Sequence, residues 1–300
     1  MTTFARRFWW RNSAWLGYAA LTLLPLLAGL GYALLYSLGL VGALAEGFTL
    51  AHWTAVLGST RFWANLGFSL FIALTSMGLA LGLALWWTLR YRRLFGQGLM
   101  QAVLYVPLVF PAIVAGLVCF QLWSNGGLLA RLAFQLGWIQ SPQQFPGLVH
   151  HSWGLGILLT HALMAAPFFT LLFLGIWPQQ KLDELLQTAA TLGASQRQQV
   201  RRVALPVLLR EARPTLLLYG LFVAGSYEIP LLVGAQHPQM VSVYAVTKLN
   251  RFDLGDRPEA FVIAFCFTVL VLGLLSVGLK RTLSAYAGPP FRKAGRYAPR

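Results

Sequence analysis

A histidine and a glutamate lie inside apolar stretches of this chain, and they are the first candidates for chemistry. His161 occupies the run near 153–177, and Glu228, in the run near 214–235, is the only acidic residue within any such run. An ionisable group inside an apolar helix is costly unless it pairs, faces a polar cavity or contacts a solute. The pattern therefore predicts a polar contact, either with a solute or between helices. A self-contained transporter or membrane enzyme centred on these two residues is the alternative.

The sequence motifs of common hydrolytic sites are absent. A phosphate-binding P-loop needs glycine and lysine followed by serine or threonine, and no lysine in this chain follows a glycine. There is also no Gly-x-Ser-x-Gly elbow and no His-Glu-x-x-His zinc motif. The 5 histidines have no accompanying ligand cluster, so we predict neither a metal nor a cofactor. Energy for any work of the P-loop kind must then come from elsewhere, and a basic amphipathic segment facing the cytoplasm would suit the docking of a separate motor subunit.

The longest polar segment between apolar runs extends from Leu182 to Pro206. In its first half, apolar residues recur at helical spacing and predict a short amphipathic helix. The expected apolar stripe comprises Leu182, Leu185, Leu186 and Ala189. Acidic and amide side chains fall on the opposite side.

A turn and a second short helix are expected in the other half of this segment. Gly193 supplies a residue that tolerates positive φ, and Ser195 with Gln198 forms a capping-box pattern for a new helix. We expect Pro206 to end that helix. The predicted product is a basic, amphipathic helical hairpin of the kind that presents an apolar ridge to a groove in a partner.

The composition identifies the elements that hold this hairpin. Hydrophobic residues make up 57% of the chain and charged residues only 10%, against about 25% charged in soluble domains. The apolar residues form six runs, each long enough at about 20 residues to cross a hydrocarbon core of about 30 Å. We place these spans near 15–38, 64–88, 99–123, 153–177, 214–235 and 260–279.

The basic residues orient the predicted spans. Most of the 23 lysines and arginines precede the first run, follow the second and sixth, or lie between the fourth and fifth. The other five are on the alternate loops: Arg61, Arg131, Lys248, Arg251 and Arg257. This asymmetry is the positive-inside bias, which places both termini and the polar hairpin in the cytoplasm. It also accounts for the net charge of +15 without any nucleic-acid partner.

Two prolines interrupt the third predicted span. Pro107 and Pro111 each remove a backbone donor, so we expect the helix to kink or open there. Kinks of this kind often line a pathway, because freed carbonyls inside a bilayer are tolerated only against protein or water. Simple packing geometry is the equally weighted alternative.

The hairpin resembles the cytoplasmic loop signature of the membrane subunits of ABC importers. That signature is Glu-Ala-Ala, three residues, Gly, nine residues and Ile-x-Leu-Pro, and here nine residues separate Gly193 from Val203-Ala204-Leu205-Pro206. Gln187-Thr188-Ala189 stands where the family has Glu-Ala-Ala, so the acidic contact is lost. On this resemblance the ATPase-docking loop comprises Gln187, Thr188, Ala189, Gly193, Val203, Leu205 and Pro206.

A second stretch resembles one particular group within this family. Residues 225–232, Gly-Ser-Tyr-Glu-Ile-Pro-Leu-Leu, resemble the fifth-span region of the spermidine/putrescine-like group of ABC importer permeases. This similarity implies a polyamine-like organic cation as solute, although thiamine, iron and oxyanion importers share the architecture. The candidate pathway residues are Glu228, Tyr227, Pro107, Pro111 and His161.

The resemblance implies a complete architecture for the chain. It is an all-α membrane protein with six transmembrane helices, both termini cytoplasmic, and a coupling-helix loop at 178–213 between spans four and five. A cytoplasmic flank at 1–14, a permease domain at 15–283 and a disordered tail at 284–300 are expected. The implied partners are ABC ATPase subunits, a second permease subunit and an external solute-binding protein, at a bacterial inner membrane.

Overall fold

The computed structural model describes residues 3–42, 45 and 47–286, and the side chains of 3–14, 16 and 283–286 are outside the description. Every regular element in this part of the chain is helical. The α-helices are α1 Thr3–Ser37, α2 Ala51–Leu57, α3 Thr60–Phe95, α4 Gly98–Val109, α5 Ala112–Trp123, α6 Leu128–Gln135, α7 Leu155–Gln179, α8 Leu182–Thr191, α9 Gln196–Gln199, α10 Leu205–Ala224, α11 Glu228–Val233, α12 Val241–Leu249 and α13 Asp256–Tyr286. A 3₁₀ turn spans Pro142–Gln144 and a π-helical segment spans Val200–Ala204.

Among the described residues, 5 helical segments are long and apolar enough to cross a membrane: Gly17–Ser37, Thr60–Phe95, Ala112–Gln135, Leu155–Gln179 and Asp256–Thr282. Gly98–Val109 is a shorter apolar helix. The first, second, fourth and sixth predicted runs therefore coincide with long apolar helices. The predicted flank at 1–14 includes the start of α1, and α13 continues to Tyr286; residues 287–300 of the predicted tail lie outside the description.

The third predicted run is two helices and not one. Phe110 and Pro111 take extended backbone angles, with ψ of 129° and 148°, and separate α4 from α5. Pro111 therefore breaks the helix, as the sequence predicts. Pro107 stays inside α4, where it produces no break.

The fifth predicted run also needs correction. Its helix α10 begins at Leu205, well before the predicted start at 214, and ends at Ala224; α11 then starts at Glu228. The prediction that Pro206 ends the preceding helix was wrong. Leu205 N–H bonds to the carbonyl of Val200, five residues back, so the wider π turn shifts the hydrogen-bond register just where Pro206 lacks a donor.

Two compact units divide the chain. The first unit takes in the described residues of 1–63 and 244–269, and the second those of 64–243 and 270–300. In the first unit, Tyr36 packs on Phe261 with ring centroids 4.6 Å apart, and Trp53 packs on Phe265 at 5.8 Å. The Trp53 indole N–H also donates to Ser37 Oγ at 3.2 Å, which satisfies a polar group between aromatic neighbours.

The second unit has two hydrophobic cores. The α7 core is built on α3, α7, α8, the π segment and α10, and its buried members are Met77, Ala80, Ala84, Ala165, Ala166, Phe169, Phe173, Ile176, Trp177, Leu182, Ala204, Leu208 and Ala212. The α11 core joins α3, α5, α7, α11 and the segment after it, through Phe68, Ile72, Cys119, Ile157, Leu158, Ile229, Val233, Met240 and Val243. Ala80 and Ala84 are fully buried, and such small residues let membrane helices approach closely.

An ion-pair cluster joins α12 to the start of α13 in the first unit. Lys248 Nζ lies 3.0 Å from Asp256 Oδ1 and also bonds Glu259, and Arg251 reaches Asp256 at 3.1 Å. Burial alone lowers the pKa of Lys248, but the hydrogen bonds and charges of Glu259 and Asp256 outweigh it and hold the pKa above its usual range. The lysine therefore remains charged at neutral pH.

Removing the lysine tests this cluster. Lys248→Met leaves two carboxylates without their shared cation, so we expect a loss of roughly 3 kcal/mol in the free energy of unfolding. Arg251→Gln removes a half-exposed charge and serves as the control, with an expected cost below about 1 kcal/mol. Thermal unfolding in detergent measures both. Equal losses in the two variants would contradict the assigned role of Lys248.

Candidate docking hairpin and polar track

The hairpin predicted from the sequence is formed by α8, a tight turn and α9. Lys181 starts it in a left-handed conformation with φ of 48°, which turns the chain sharply after α7. Asp183 and Glu184 occupy the first turn of α8, where acidic side chains favour the positive end of the helix dipole. The left-handed Lys181 and these two acidic side chains together favour the start of α8 at this point.

Gly193 ends α8 in the conformation predicted for it. Its φ is +84°, its N–H donates to the Ala190 carbonyl at 2.9 Å, and the Ala194 N–H donates to the Ala189 carbonyl at 3.0 Å. These two bonds are a complete Schellman motif, which satisfies carbonyls left free at a helix end. An added Cβ would meet nothing within 4 Å, so the requirement for glycine is in the backbone and not in the space around it.

The capping box predicted after the turn is confirmed. The Ser195 side chain accepts from the Gln198 N–H, and Gln198 Oε1 accepts from the Ser195 N–H at 2.8 Å. Gln199 Nε2 also donates to the Ala194 carbonyl at 2.8 Å. The turn is therefore held by side-chain bonds on one side and by the Schellman bonds on the other.

The two faces of α8 differ from the prediction at one position. Leu182 is fully buried in the α7 core, and Leu186 packs against that core. Leu185, predicted to share this stripe, is 45% exposed, and Leu192 is 83% exposed. Leu185 and Leu192 are seven residues apart, about two turns, and so present one apolar ridge outward.

The remaining signature residues lie around this ridge and at the second root of the hairpin. Gln187, Thr188, Gly193 and Pro206 are exposed, whereas Ala189, Val203 and Leu205 are half-buried. The fully buried residue at this root is Ala204, in the π segment. The hairpin thus enters the α7 core at Leu182 and at Ala204 and is exposed at its tip.

A buried polar track runs through the second unit. His161 is 2% exposed, and its Nε2 lies 3.1 Å from Ser226 Oγ. The Ser226 carbonyl accepts from Ser242 Oγ at 2.6 Å, which satisfies a backbone group at the break between α10 and α11. Asn65 Oδ1 and Ser69 Oγ accept from the backbone N–H groups of Gln239 and Val241. These bonds fix the chain on both sides of α11.

The candidate pathway residues are distributed around α5 and α11. Tyr227 is half-buried and precedes Glu228, the exposed first residue of α11, which forms no ion pair with any residue in the described ranges. Pro111 caps α5, and α5 packs closely on α11 at Gly116, where a Cβ would stand 3.5 Å from Ile229 Cα. His161 and Glu228 do not form the buried pair that a joint centre would need. Pro107 belongs to α4 and is half-buried.

Comparison with known proteins identifies the family of this chain. The family model described as "Binding-protein-dependent transport system inner membrane component" matches residues 76–285, more than half of the chain. The chain belongs to this family. This permease is therefore a multi-pass inner-membrane component of a transport system.

Several curated relatives are permease proteins and not enzymes. The probable ABC transporter permease y4oQ of Sinorhizobium fredii is 29% identical over 85% of this chain and 84% of its own length. The probable ABC transporter permease y4fN of the same organism is 28% identical over 91% of this chain but only 46% of its own length. The thiamine permease ThiP of Brucella suis is 27% identical over 60% of this chain and 31% of its own length. The permease thus spans less than half of y4fN and of ThiP.

A solved structure shares the fold. It is the bacterial ABC transporter involved in the import of the acidic polysaccharide alginate, with a TM-score of 0.68 and 16% sequence identity. The match covers 93% of the permease and 99% of that chain. At this identity the likeness concerns the fold alone.

One contact at the root of the hairpin was missed by the sequence analysis. Arg92, treated as a general cytoplasmic charge, places Nη2 2.7 Å from Asp183 Oδ1 and its guanidinium 4.3 Å from the centre of the Trp177 ring. It therefore joins α3, α7 and α8. Tyr91, just before it, departs from helical angles with φ of −126° and kinks α3. The sequence offers no spacing signal for a contact between residues so distant in the chain.

The relative strengths of these anchors can be tested. Leu182→Ala should cost roughly 2–5 kcal/mol of stability, because it empties a fully buried site. Asp183→Asn should cost about 1 kcal/mol or less, because the Arg92 and Asp183 side chains are 28% and 58% exposed. Hydrogen exchange of α8 peptides in the purified permease gives the readout. Faster exchange in the Asp183 variant than in the Leu182 variant would contradict this order.

Proposed function

We propose that this permease is the membrane-spanning subunit of an ATP-driven ABC importer, and that it forms the pathway for a small solute. The observation that carries the proposal is the exposed hairpin: an apolar ridge of Leu185 and Leu192 on a helix whose root is buried in the core of the membrane helices. A separate ATPase would supply the energy, since the chain has no P-loop of its own.

The docking role is assigned to the hairpin from its outer face and tip to its second root. Seven residues make up the ATPase-docking loop of the proposal: Gln187, Thr188, Ala189, Gly193, Val203, Leu205 and Pro206. An amphipathic helix lays its apolar face into a groove of its partner, and the exposed leucines provide such a face. Gln187 replaces the acidic residue of the family signature, so shape and apolar area carry this contact more than charge does.

The proposed topology has six spans with both termini in the cytoplasm. The third crossing consists of α4 and α5, joined at Pro111, and the fifth consists of α10 with α11. Helix breaks at membrane depth are tolerated where protein covers them, as α5 and α11 cover each other. In this topology the segment 178–213 forms the coupling loop, 15–283 the permease domain, and 1–14 and 284–300 the cytoplasmic ends.

Three kinds of partner are proposed: ABC ATPase subunits, a second permease subunit and an external solute-binding protein. A related crystal structure, 15% identical to the permease, is titled as an alginate ABC transporter in complex with a pentasaccharide-bound periplasmic protein. The match to y4fN covers 46% of that relative, so y4fN has room for two units of this size. Both facts support a paired pathway that receives its solute from an external carrier.

The proposed solute is a small organic cation of the polyamine type. Glu228 supports this choice, because it is an exposed carboxylate without an ion-pair partner among the described residues, at the start of a short helix in the pathway region. Named relatives carry different solutes: ThiP is a thiamine permease, and CysT of Salmonella typhimurium is a sulfate permease. Thiamine is also an organic cation, whereas sulfate would be repelled by Glu228.

Substitution at the turn tests the docking assignment. Gly193→Asp places a side chain where φ is +84° and adds a charge at the tip, so the ATPase recovered with the tagged permease should fall several-fold. Gly137→Asp is a matched control, since Gly137 also has positive φ and open space around it but lies after α6. Wild-type recovery of the ATPase with Gly193→Asp would refute the docking role. A permease purified alone would favour the self-contained alternative centred on His161 and Glu228.

The solute class is tested at Glu228. Glu228→Gln keeps the size of the side chain and removes its charge, so uptake of labelled spermidine should fall about tenfold or more if the carboxylate contacts the cation. Stimulation of ATP hydrolysis by spermidine, thiamine and sulfate, each with its binding protein, gives the comparison. If sulfate stimulated ATP hydrolysis more in Glu228→Gln than in the wild type, the solute would be an oxyanion and not a cation.

A further inference from the structure

A cleft beside the root of the hairpin is not explained by docking or by the solute pathway. Its volume is about 820 Å³, and it lies within the second unit between the end of α3, α4, α7 and α8. Its lining includes Arg92, Arg93 and Gln101 and also Leu171 and Leu174. A cleft lined by both arginines and leucines fits an amphiphile with an anionic head.

Two arginines and one aspartate line the cleft. Arg92 Nη2 bonds Asp183, its guanidinium lies over the Trp177 ring, and Nη1 is buried without a partner among the described residues. The guanidinium is thus fixed in position at the cleft, where its charge favours an anionic ligand. Arg93 is exposed and forms no ion pair in the described part of the chain, so its charge is available to the same ligand.

Two leucines of the lining lie on α7, within two turns of Trp177. Leu171 and Leu174 line the cleft together with Gly175, where an added Cβ would meet nothing within 4 Å. α7 has 25 residues and a length of about 37 Å, enough to cross a hydrocarbon core of about 30 Å. In the proposed topology this end of α7 lies at the cytoplasmic membrane surface, where a lipid has its ester and phosphate groups.

We propose that this cleft binds an anionic phospholipid, with the headgroup phosphate at Arg92 and Arg93 and an acyl chain along Leu171 and Leu174. A soluble phosphate would pair with the charges of the arginines but would leave the space beside Leu171, Leu174 and Gly175 unfilled. Assignment to the cytoplasmic leaflet rests on the proposed topology, whereas the binding itself does not.

A lipid in this cleft would also contact the docking helix α8. Asp183 and Gln187 of α8 line the same cleft, four residues apart on one face. A bound phosphate competes with Asp183 for the Arg92 guanidinium and lies beside a residue of the docking loop. The lipid is therefore positioned to regulate how firmly the hairpin root is held.

Lipid retention by the purified permease with its ATPase tests the proposal. Native mass spectrometry with phosphatidylglycerol should show one tightly held lipid per permease chain, which phosphatidylcholine does not replace. Arg93→Gln should weaken this binding roughly fivefold, the effect of one basic residue beside an anionic lipid. Arg90→Gln is the matched control: it removes the same charge from an exposed position on the same helix, outside the cleft, and should leave binding unchanged.

A second variant tests the apolar part without changing charge. Gly175→Leu places a side chain in the open space of the cleft and should abolish the retained lipid while ATPase recovery persists; Gly175→Ala should keep it. Retention of the lipid by Gly175→Leu, or equal loss in Arg90→Gln and Arg93→Gln, would overturn the site. Complete displacement by inorganic phosphate at millimolar concentration would show an anion pocket and overturn the lipid assignment. These readouts need neither ATP nor solute, so they stand or fall apart from the proposed transport function.

Discussion

Two buried apolar side chains, one at each root, hold the hairpin in place. Leu182 and Ala204 are both fully buried, both belong to the α7 core, and they stand at the two roots of a segment whose tip at Gly193 is exposed. Burying a leucine side chain is worth about 1.5–3 kcal/mol, more than an exposed ion pair contributes. The hairpin is therefore joined to the membrane helices by packing and is otherwise free to meet a partner.

Backbone hydrogen bonding constrains the helices that carry this core. Two of the predicted spans are broken, at Phe110 and Pro111 and again at 225–227, and each break frees polar backbone groups. In hydrocarbon such groups must be satisfied by protein. Ser242 Oγ bonds the Ser226 carbonyl, and α5 packs against α11 at Gly116, where a Cβ would stand 3.5 Å from Ile229 Cα. The polar track thus satisfies backbone groups that the break between α10 and α11 leaves free.

Local features were predictable from the sequence because their causes are local. Gly193 needs only its own backbone, and the Ser195 and Gln198 capping box spans three residues. The apolar runs located most of the long helices but joined separate ones at the third and fifth runs, since apolar composition persists across a break. Pro206 was misjudged because a π turn several residues upstream had already changed the register. The Arg92 contact depends on α3 meeting α8, which no pattern in either segment encodes.

The contact of Arg92 with Asp183 and Trp177 orients α8 more than it stabilises it. A rigid α8 that pivots about Leu182 would move Leu192, about 15 Å away along the helix, much farther than it moves Asp183 beside the pivot. The pair between Arg92 and Asp183 can therefore survive a tilt that displaces the tip. Because the guanidinium also stacks on Trp177 at the end of α7, such a tilt is transmitted to the membrane helix through packing at the root. A partner bound to the apolar ridge, as proposed, would therefore act on the α7 core through a contact placed next to the pivot.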